Sequence, residues 1–312
     1  MGSYDMISIL MATYNGEKYL VEQIESIFAQ TFDDFKLHIN DDFSTDSTWD
    51  ILLDYSKKYP DKVIVSQNEK TSGGAQLNFM NMMLSRQDEY IMPCDQDDVW
   101  LPEKLADAYG AMLLAERKYG KDMPILVHTD TNVVNESLDT ISPSLKKLIN
   151  APMSLNQKQI LMQNNVTGCT VLYNKALANL LLQRPSYFVM HDWWLAILAN
   201  YFGETIYLDK SSVLYRQHHT NTLGAKVVGT IEHIIDRLLS CKKIKDAFFC
   251  SYIQADSFLK AHYDKLNDEQ RTIISAYASL REINKISRIV VMKKNNLFRQ
   301  GFLRTVSQLF FG

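Results

Sequence analysis

The 312-residue chain lacks the features that would place it in a membrane or an oxidising compartment. No apolar run approaches the roughly 20 residues needed to span a bilayer, and no charged-then-apolar leader of the secretory type opens it. Met6 stands where an N-myristoylation signal needs Ser or Thr. The four cysteines (Cys94, Cys169, Cys241, Cys250) show no paired spacing of the kind that holds zinc, so free thiols in a reducing cytoplasm are expected. Internal repeats and low-complexity stretches are absent. So is a Gly-rich phosphate loop carrying Lys or Arg near the first strand, which argues against a nucleotidyltransferase. What is present is an ordinary globular balance, 46% hydrophobic and 22% charged, in a chain long enough for one large domain plus an extension.

The net charge of −3 hides an asymmetry. From Lys226 onward there are 15 Lys+Arg against 8 Asp+Glu, whereas residues 1–225 carry 18 against 28. An acidic body suits a cation-dependent site and a basic tail an anionic surface, and no nucleic-acid partner is expected.

The most informative segment is Cys94-Asp95-Gln96-Asp97-Asp98-Val99-Trp100, which follows the apolar run Tyr90-Ile91-Met92-Pro93. A strand ending in Asp-X-Asp presents hard oxygen ligands at a sheet edge, where a divalent cation and a diphosphate can meet. Crowded carboxylates repel one another unless a cation or hydrogen bonds compensate. Asp98 is equally well read as an acidic surface turn capping the helix that Pro102 starts.

Strands are expected at 7–12, 37–40, 63–66 and 90–93. Helices are expected from about Leu20, from a Ser44 or Asp46 cap to about Tyr59, from Ala75 to Leu84, and from Pro102 to Tyr119. In the first helix Leu20, Val21, Ile24, Ile27 and Phe28 fall at helical spacing. Four strand–helix alternations in about 120 residues predict a doubly wound, mostly parallel α/β sheet. Ligands of such sheets bind beyond the carboxyl ends of strands, where Thr13-Tyr14-Asn15, Asp41-Asp42 and Asp95-Gln96-Asp97 all fall. Further strands are expected at 125–135, 167–173, 206–208 and 212–216, with helices at 175–182 and after Asp192. Residues 1–227 then form the main domain (1–120 and 121–227 as its two halves), and 228–312 a helical extension.

These ordered motifs resemble the family-2 glycosyltransferases of GT-A fold, over roughly residues 6–220. Ile9 to Gly16 resembles the opening strand and nucleotide-binding turn, and Asp95-Gln96-Asp97 the metal-binding Asp-X-Asp. Asn40-Asp41-Asp42-Phe43-Ser44-Thr45-Asp46 resembles the family's acidic segment, with Phe43 where Gly or Asn is usual. His191-Asp192-Trp193-Trp194 resembles the catalytic-base motif, with His for the usual Glu. The Cys94–Trp100 string, with Gly73-Gly74 and Asn78-Phe79, is most similar to bacterial rhamnosyltransferases of cell-wall polysaccharide assembly.

The resemblance implies an inverting, Mg2+- or Mn2+-dependent transfer from a nucleotide-diphospho-sugar, dTDP-rhamnose or alternatively a UDP-hexose, to a saccharide acceptor that is lipid-linked. Asp192 is the implied base, although Asp also caps helices well and can do both. Asp95, Asp97 and His218 are the implied metal ligands. The donor is assigned to Thr13, Tyr14, Asn15, Glu17, Asp42, Lys70, Asn78, Asp95 and Gln96, with Tyr14 equally able to pack and Lys70 to be a solvated loop lysine. The acceptor is assigned to His128, Asp130, Gly168, Cys169, His191, Trp193 and Trp194, with structural hydrogen bonding equally open for His128 and Asp130. The basic tail is expected either to touch a membrane face peripherally or to form a cap or homodimer contact. A non-catalytic sugar-binding module is the remaining class, but would leave the Asp95/Asp97 pair without a purpose.

Overall fold

In the computed structural model the residues described are 6–181, 184–218 and 241–312. The expected boundary at 227/228 and the opening of the extension lie outside them, and the helix expected over 175–182 stops early, at Ala178. Strand β1 (Ile7–Thr13) is buried along its whole length and sits between β2 (Phe35–Asp41) and β4 (Tyr90–Cys94), parallel to both. β3 (Val63–Gln67) extends the parallel sheet beyond β2. A strand covered on both faces has no wet side, so a continuous run such as Ile7-Ser8-Ile9-Leu10-Met11 is what it requires. Three helices make the connections: α1 (Leu20–Phe28), α2 (Thr48–Lys58) and α3 (Ala75–Leu84). The chain leaves β1 on one side for β2 and β3, then returns to its other side for β4. That reversal opens a crevice at the carboxyl ends of β1 and β4.

Beyond β4 come β5 (Val99–Trp100), α4 (Lys104–Tyr119), β6 (Ile125–Val134), β7 (Thr140–Ser142), α5 (Leu145–Leu148), α6 (Gln157–Met162), β8 (Leu172–Asn174), α7 (Lys175–Ala178), α8 (His191–Phe202) and β9 (Glu204–Arg216). Among the described residues the sheet order is β3-β2-β1-β4-β8-β6-β9-β5, with β7 beside β6. Parallel pairing dominates by length, since β6 and β9 run parallel over most of β6, while the antiparallel contacts of β8, β5 and β7 are short. The fold is therefore an α/β, mostly parallel sheet flanked by helices.

Several expected boundaries move. The helix after Pro102 begins at Lys104, and the one after Asp42 begins at Thr48, where Asp46 Oδ1 accepts from the Thr48 N–H (3.0 Å). Ser44 caps nothing; its hydroxyl donates to Asp41 instead. Residues 167–173 are not one strand, because a 3-10 turn (Gly168–Thr170) precedes β8. The stretches 206–208 and 212–216 are one strand, β9, whose pairing with β6 shifts register on either side of Asp130. In α1, Val21 faces solvent while Leu20, Ile24 and Ile27 are buried.

Alternation along the strands divides the core. Ile7, Ile9, Met11, Leu37 and Met92 pack against α1 and α4. Leu10, Ala12, Ile91 and Leu126 pack with α3 and α8 on the other face. The C-terminal helices Cys241–His262, Asp268–Ala278, Lys285–Asn295 and Phe302–Phe311 belong to this second core, to which they add Phe248, Tyr252, Phe258, Ile274, Tyr277 and Met292. Among the described residues no helix is long and apolar enough to cross a membrane.

Candidate active site

The turn after β1 is built by short polar contacts. The Tyr14 N–H donates to Gln96 Oε1 (2.9 Å) and Gln96 Nε2 donates back to the Tyr14 carbonyl (3.0 Å), so the amide ties the β1 turn to the acidic turn after β4. Gly16 makes room for it: a Cβ there would meet Gln96 Oε1 at 2.3 Å. Asn15, at φ 45°, receives the Thr45 N–H on its side-chain oxygen (2.8 Å) and donates its own N–H to Ser44 Oγ (2.9 Å). The buried Asp41, expected at a ligand-bearing strand end but given no role of its own, anchors the turn by accepting from Thr13 Oγ1, Ser44 N and Gln67 Nε2. Asp42 accepts from Asn68 Nδ2 (2.7 Å), Ser72 N (2.6 Å) and Ser72 Oγ (2.8 Å), and so holds the loop after β3 while lining the crevice.

Two expected donor contacts are not among the crevice residues. Glu17 instead accepts from the Ser47 N–H at the α2 start (2.9 Å), and Lys70 lies exposed on the loop.

At the end of β4, Asp95 and Asp97 face the crevice. Burial, and then the neighbouring carboxylates of Asp97 and Asp192, push the Asp95 carboxyl up to about 7. Asp97 Oδ2 meets His218 Nε2 at 2.9 Å. Asp98 is no surface cap. It is fully buried, accepts the Arg216 N–H (3.1 Å), and burial drives its carboxyl well above the ordinary range.

Two cations escaped the sequence reading. Arg216, buried on β9, donates from Nε to the Asp97 carbonyl (2.9 Å), from one terminal nitrogen to the Glu136 carbonyl (2.5 Å) and from the other to Glu22, with its guanidinium over the Tyr19 ring. Lys104 lies under the acidic turn. Its Nζ donates to the Cys169 carbonyl (2.7 Å), and burial lowers its pKa to about 8 against the pull of Cys169, Cys94, Asp98 and Asp95.

The opposite wall comes from the 3-10 turn and α8. Asp192 sits inside the first turn of α8 rather than at its cap, where the helix N-terminus favours an anion. Its Oδ1 accepts from the Trp193 N–H (2.6 Å), with Asn164 and Gly168 also donating. Burial outweighs these bonds and raises the carboxyl to about 6. His191 packs on Phe79 (ring centroids 4.3 Å apart), and burial lowers its pKa to about 3, so the ring is neutral. Gly168 is needed for close approach: a Cβ there would meet His191 Nε2 at 2.9 Å and Asp192 Cβ at 3.6 Å.

The other acceptor residues are placed elsewhere. Trp193 donates its indole N–H to the Ile160 carbonyl, and Trp194, 1% exposed, packs on Phe258, so neither tryptophan faces the crevice. α8 is apolar all round and buried on nearly every side, so its pattern did not reveal which face is open. His128 is buried against Tyr207, and Asp130 accepts from Ser144 Oγ and from the N–H groups of Thr131 and Lys146. Cys169 is buried behind the wall, its thiol pushed well up by burial.

The result is one cavity of about 620 Å³. Thr13, Tyr14, Asn15, Asp42 and Asn78 line one end, Asp95, Gln96, Asp97 and His218 the middle, and Gly168, His191 and Asp192 the far wall. It falls within the usual range for a small-molecule site. The donor atoms suit a hard divalent cation: Asp95 and Asp97 offer carboxylate oxygens beside the His218 imidazole, and crowding of the carboxylates is what such an ion relieves. Asp95, Asp98 and Cys169 also approach within 4.8 Å of one another, but Asp98 is bonded to Arg216 and the thiol is held neutral, so that group backs the site.

Residues 8–181, more than half of the chain, match the glycosyl transferase family 2 profile. The chain belongs to that family: it is a nucleotide-sugar glycosyltransferase of GT-A fold. It is 29% identical over 232 residues to the dTDP-rhamnosyl transferase RfbG of Shigella flexneri, covering 70% of this chain and 74% of that protein. It is 30% identical over 103 residues to the UDP-Glc:alpha-D-GlcNAc-diphosphoundecaprenol beta-1,3-glucosyltransferase WfaP of Escherichia coli, covering 33% of this chain and 39% of that one.

Among solved structures, S. aureus TarS 1-349 in complex with UDP-GlcNAc superposes with TM-score 0.55 at 18% identity, covering 92% of this chain and 84% of that one. In a longer TarS structure the chain spans 43% of the length. The mannosyltransferase PcManGT of Pyrobaculum calidifontis, with GDP-Man and Mn2+, superposes with TM-score 0.51 at 14% identity, covering 97% and 78%.

Proposed function

We propose that this chain is an inverting, divalent-cation-dependent hexosyltransferase that moves L-rhamnose from dTDP-rhamnose onto a lipid-linked saccharide in surface-polysaccharide synthesis. One observation carries the proposal: Asp95 and Asp97, from the end of β4, and Asp192, from the start of α8, line the same cavity. The nucleotide end lies against Thr13, Tyr14 and Asp42, where a pyrimidine base shares Asp42 with Ser72. Asp95, Asp97 and His218 would hold Mg2+ or Mn2+, which supplies positive charge to the departing diphosphate. Asp192, fixed by three donors and easily protonated, takes the acceptor hydroxyl proton. The acceptor oxygen bonds to the anomeric carbon from the face opposite the diphosphate, the sugar–phosphate bond breaks, and the nucleoside diphosphate leaves with configuration inverted. His191 and Gly168 border the base and shape the acceptor side.

Similarity to the rhamnosyl transferase over most of both chains supports the rhamnose donor, and the shorter match to WfaP favours a UDP-hexose as the second reading. A panel of dTDP- and UDP-sugars, assayed by nucleoside diphosphate release with Mn2+ and with chelator, distinguishes them. Turnover is expected with dTDP-rhamnose and collapse with chelator; preference for a UDP-hexose would overturn the donor assignment. Asp192→Asn should lower kcat by about 10²–10⁴-fold with donor affinity unchanged, and near-normal turnover would remove Asp192 from the reaction.

A further inference from the structure

The helices Lys285–Asn295 and Phe302–Phe311 adjoin at one end, where Lys285 Nζ lies over the Phe310 ring (5.6 Å to its centroid) and Arg288 donates to the Gly312 carbonyl. Their outward faces carry large apolar side chains that the fold does not bury. Ile286 is 78% exposed and Phe302 81%, and Val290, Leu303 and Phe310 are each more than half exposed. The spacing is that of helical stripes: Ile286 and Val290 are four apart, Leu303 and Phe310 seven apart. Soluble surfaces rarely group such residues without a partner. Residues 283–312 also hold six Lys or Arg and no Asp or Glu, and Lys285, Lys293 and Lys294 are exposed on the same helix as Ile286 and Val290.

We infer that this face docks on an anionic lipid surface, the two short helices lying in the interface with their apolar stripes in the headgroup region and Lys285, Lys293 and Lys294 of the first helix on lipid phosphates. A face-to-face pair of chains is disfavoured here, because a twofold contact would set this all-cationic surface against itself. The helices are firmly held to the body: Arg304 donates to the Ile149 and Asn150 carbonyls, Lys158 donates to the Asn295 carbonyl, and the Gln308 amide donates to Met162 Sδ. Docking the face would therefore orient the whole molecule. The inference stands independently of which sugar is transferred.

Flotation of the full chain with phosphatidylcholine vesicles, with and without phosphatidylglycerol, tests it. Binding is expected only to the anionic vesicles and should weaken with salt. L303E/F310E should lower it at least about tenfold, and K293E/K294E likewise, with the salt dependence flattened. Since all four residues are exposed, melting and donor turnover in solution should match wild type, which separates failure of this surface from failure of the transfer reaction. Absence of the full chain from anionic vesicles overturns the inference. So does a result in which L303E/F310E abolishes self-association in sedimentation while leaving vesicle binding intact.

Discussion

At the scale of single residues, Asp192 combines function with a cost to stability. Its carboxyl ionises near 6 in the native protein, because burial outweighs the bonds from Trp193, Asn164 and Gly168, whereas an unfolded Asp ionises near 3.9. Between those values the native state holds a proton that the unfolded state has lost. Stability contributed by this group is therefore present at low pH and falls as pH rises through about 4 to 6. Asp192→Asn should melt higher than wild type near pH 7, by on the order of 1–3 kcal/mol, and no higher near pH 4. Equal melting of the two proteins at both pH values would mean that the carboxyl is not destabilised. The same ionisation predicts that kcat climbs with pH through about 6, as a base must be deprotonated to act.

Phe43 carries a second cost, held at φ 67° in the turn after β2 with its ring about half exposed. The usual Gly or Asn of this segment suits that backbone, and a left-handed aromatic residue costs about 1–2 kcal/mol. Part of the relief is lost to the greater unfolded-state freedom of glycine. Phe43→Gly should thus stabilise by about 0.5–1 kcal/mol, measured by urea unfolding; a destabilised variant would show that the ring's contacts outweigh the strain.

At the scale of elements, Arg216 joins the end of β9 to the acidic turn after β4, to Glu22 of α1 and to the loop after β6. Its N–H also donates to Asp98 Oδ1, and His218, two residues on, reaches Asp97. One fork therefore sets both the Asp97 backbone and the approach of His218. Lysine keeps the charge but cannot span three acceptors in a plane. Arg216→Lys should weaken the apparent affinity for Mn2+ in the donor-turnover assay by about tenfold, at a cost of roughly 2–4 kcal/mol in stability. An unchanged Mn2+ titration would confine Arg216 to a structural role.

Such long-range ties explain what could be read in advance. Thr13-Tyr14-Asn15, Asp42 and Asp95-Gln96-Asp97 were legible because each is local, a strand run ending in polar residues. Arg216 and Lys104 were not, and Asp98 was read as a surface cap, since their partners lie 65 to 194 residues away. The tryptophans after Asp192 were misplaced for another reason: a helix buried on almost all sides has no amphipathic pattern from which to read its open face.

At the scale of the whole molecule, the helical character of the C-terminal region was legible from its periodicity, but its dependence on the sheet was not. Read as an extension beginning near 228, it was expected to face a membrane or to form a cap or homodimer contact; from Cys241 onward it is part of the core itself. Phe248, Tyr252, Phe258, Ile274 and Tyr277 are each at most 1% exposed and share one core with α3, α8 and the sheet, where Phe258 meets Trp194 and Tyr201. Burying each such side chain contributes about 1.5–3 kcal/mol, so their joint removal rivals the 5–15 kcal/mol that typically separates a folded domain from its unfolded chain. A chain ending at residue 227 would also leave the apolar flank of α8 in water. It is expected to aggregate, or to bind a hydrophobic dye without a cooperative melt, whatever its complement of active-site residues. A soluble 1–227 fragment with a sharp thermal transition and intact donor turnover would show instead that the sheet closes its core alone. In that case the C-terminal helices would be an independent unit resting on it.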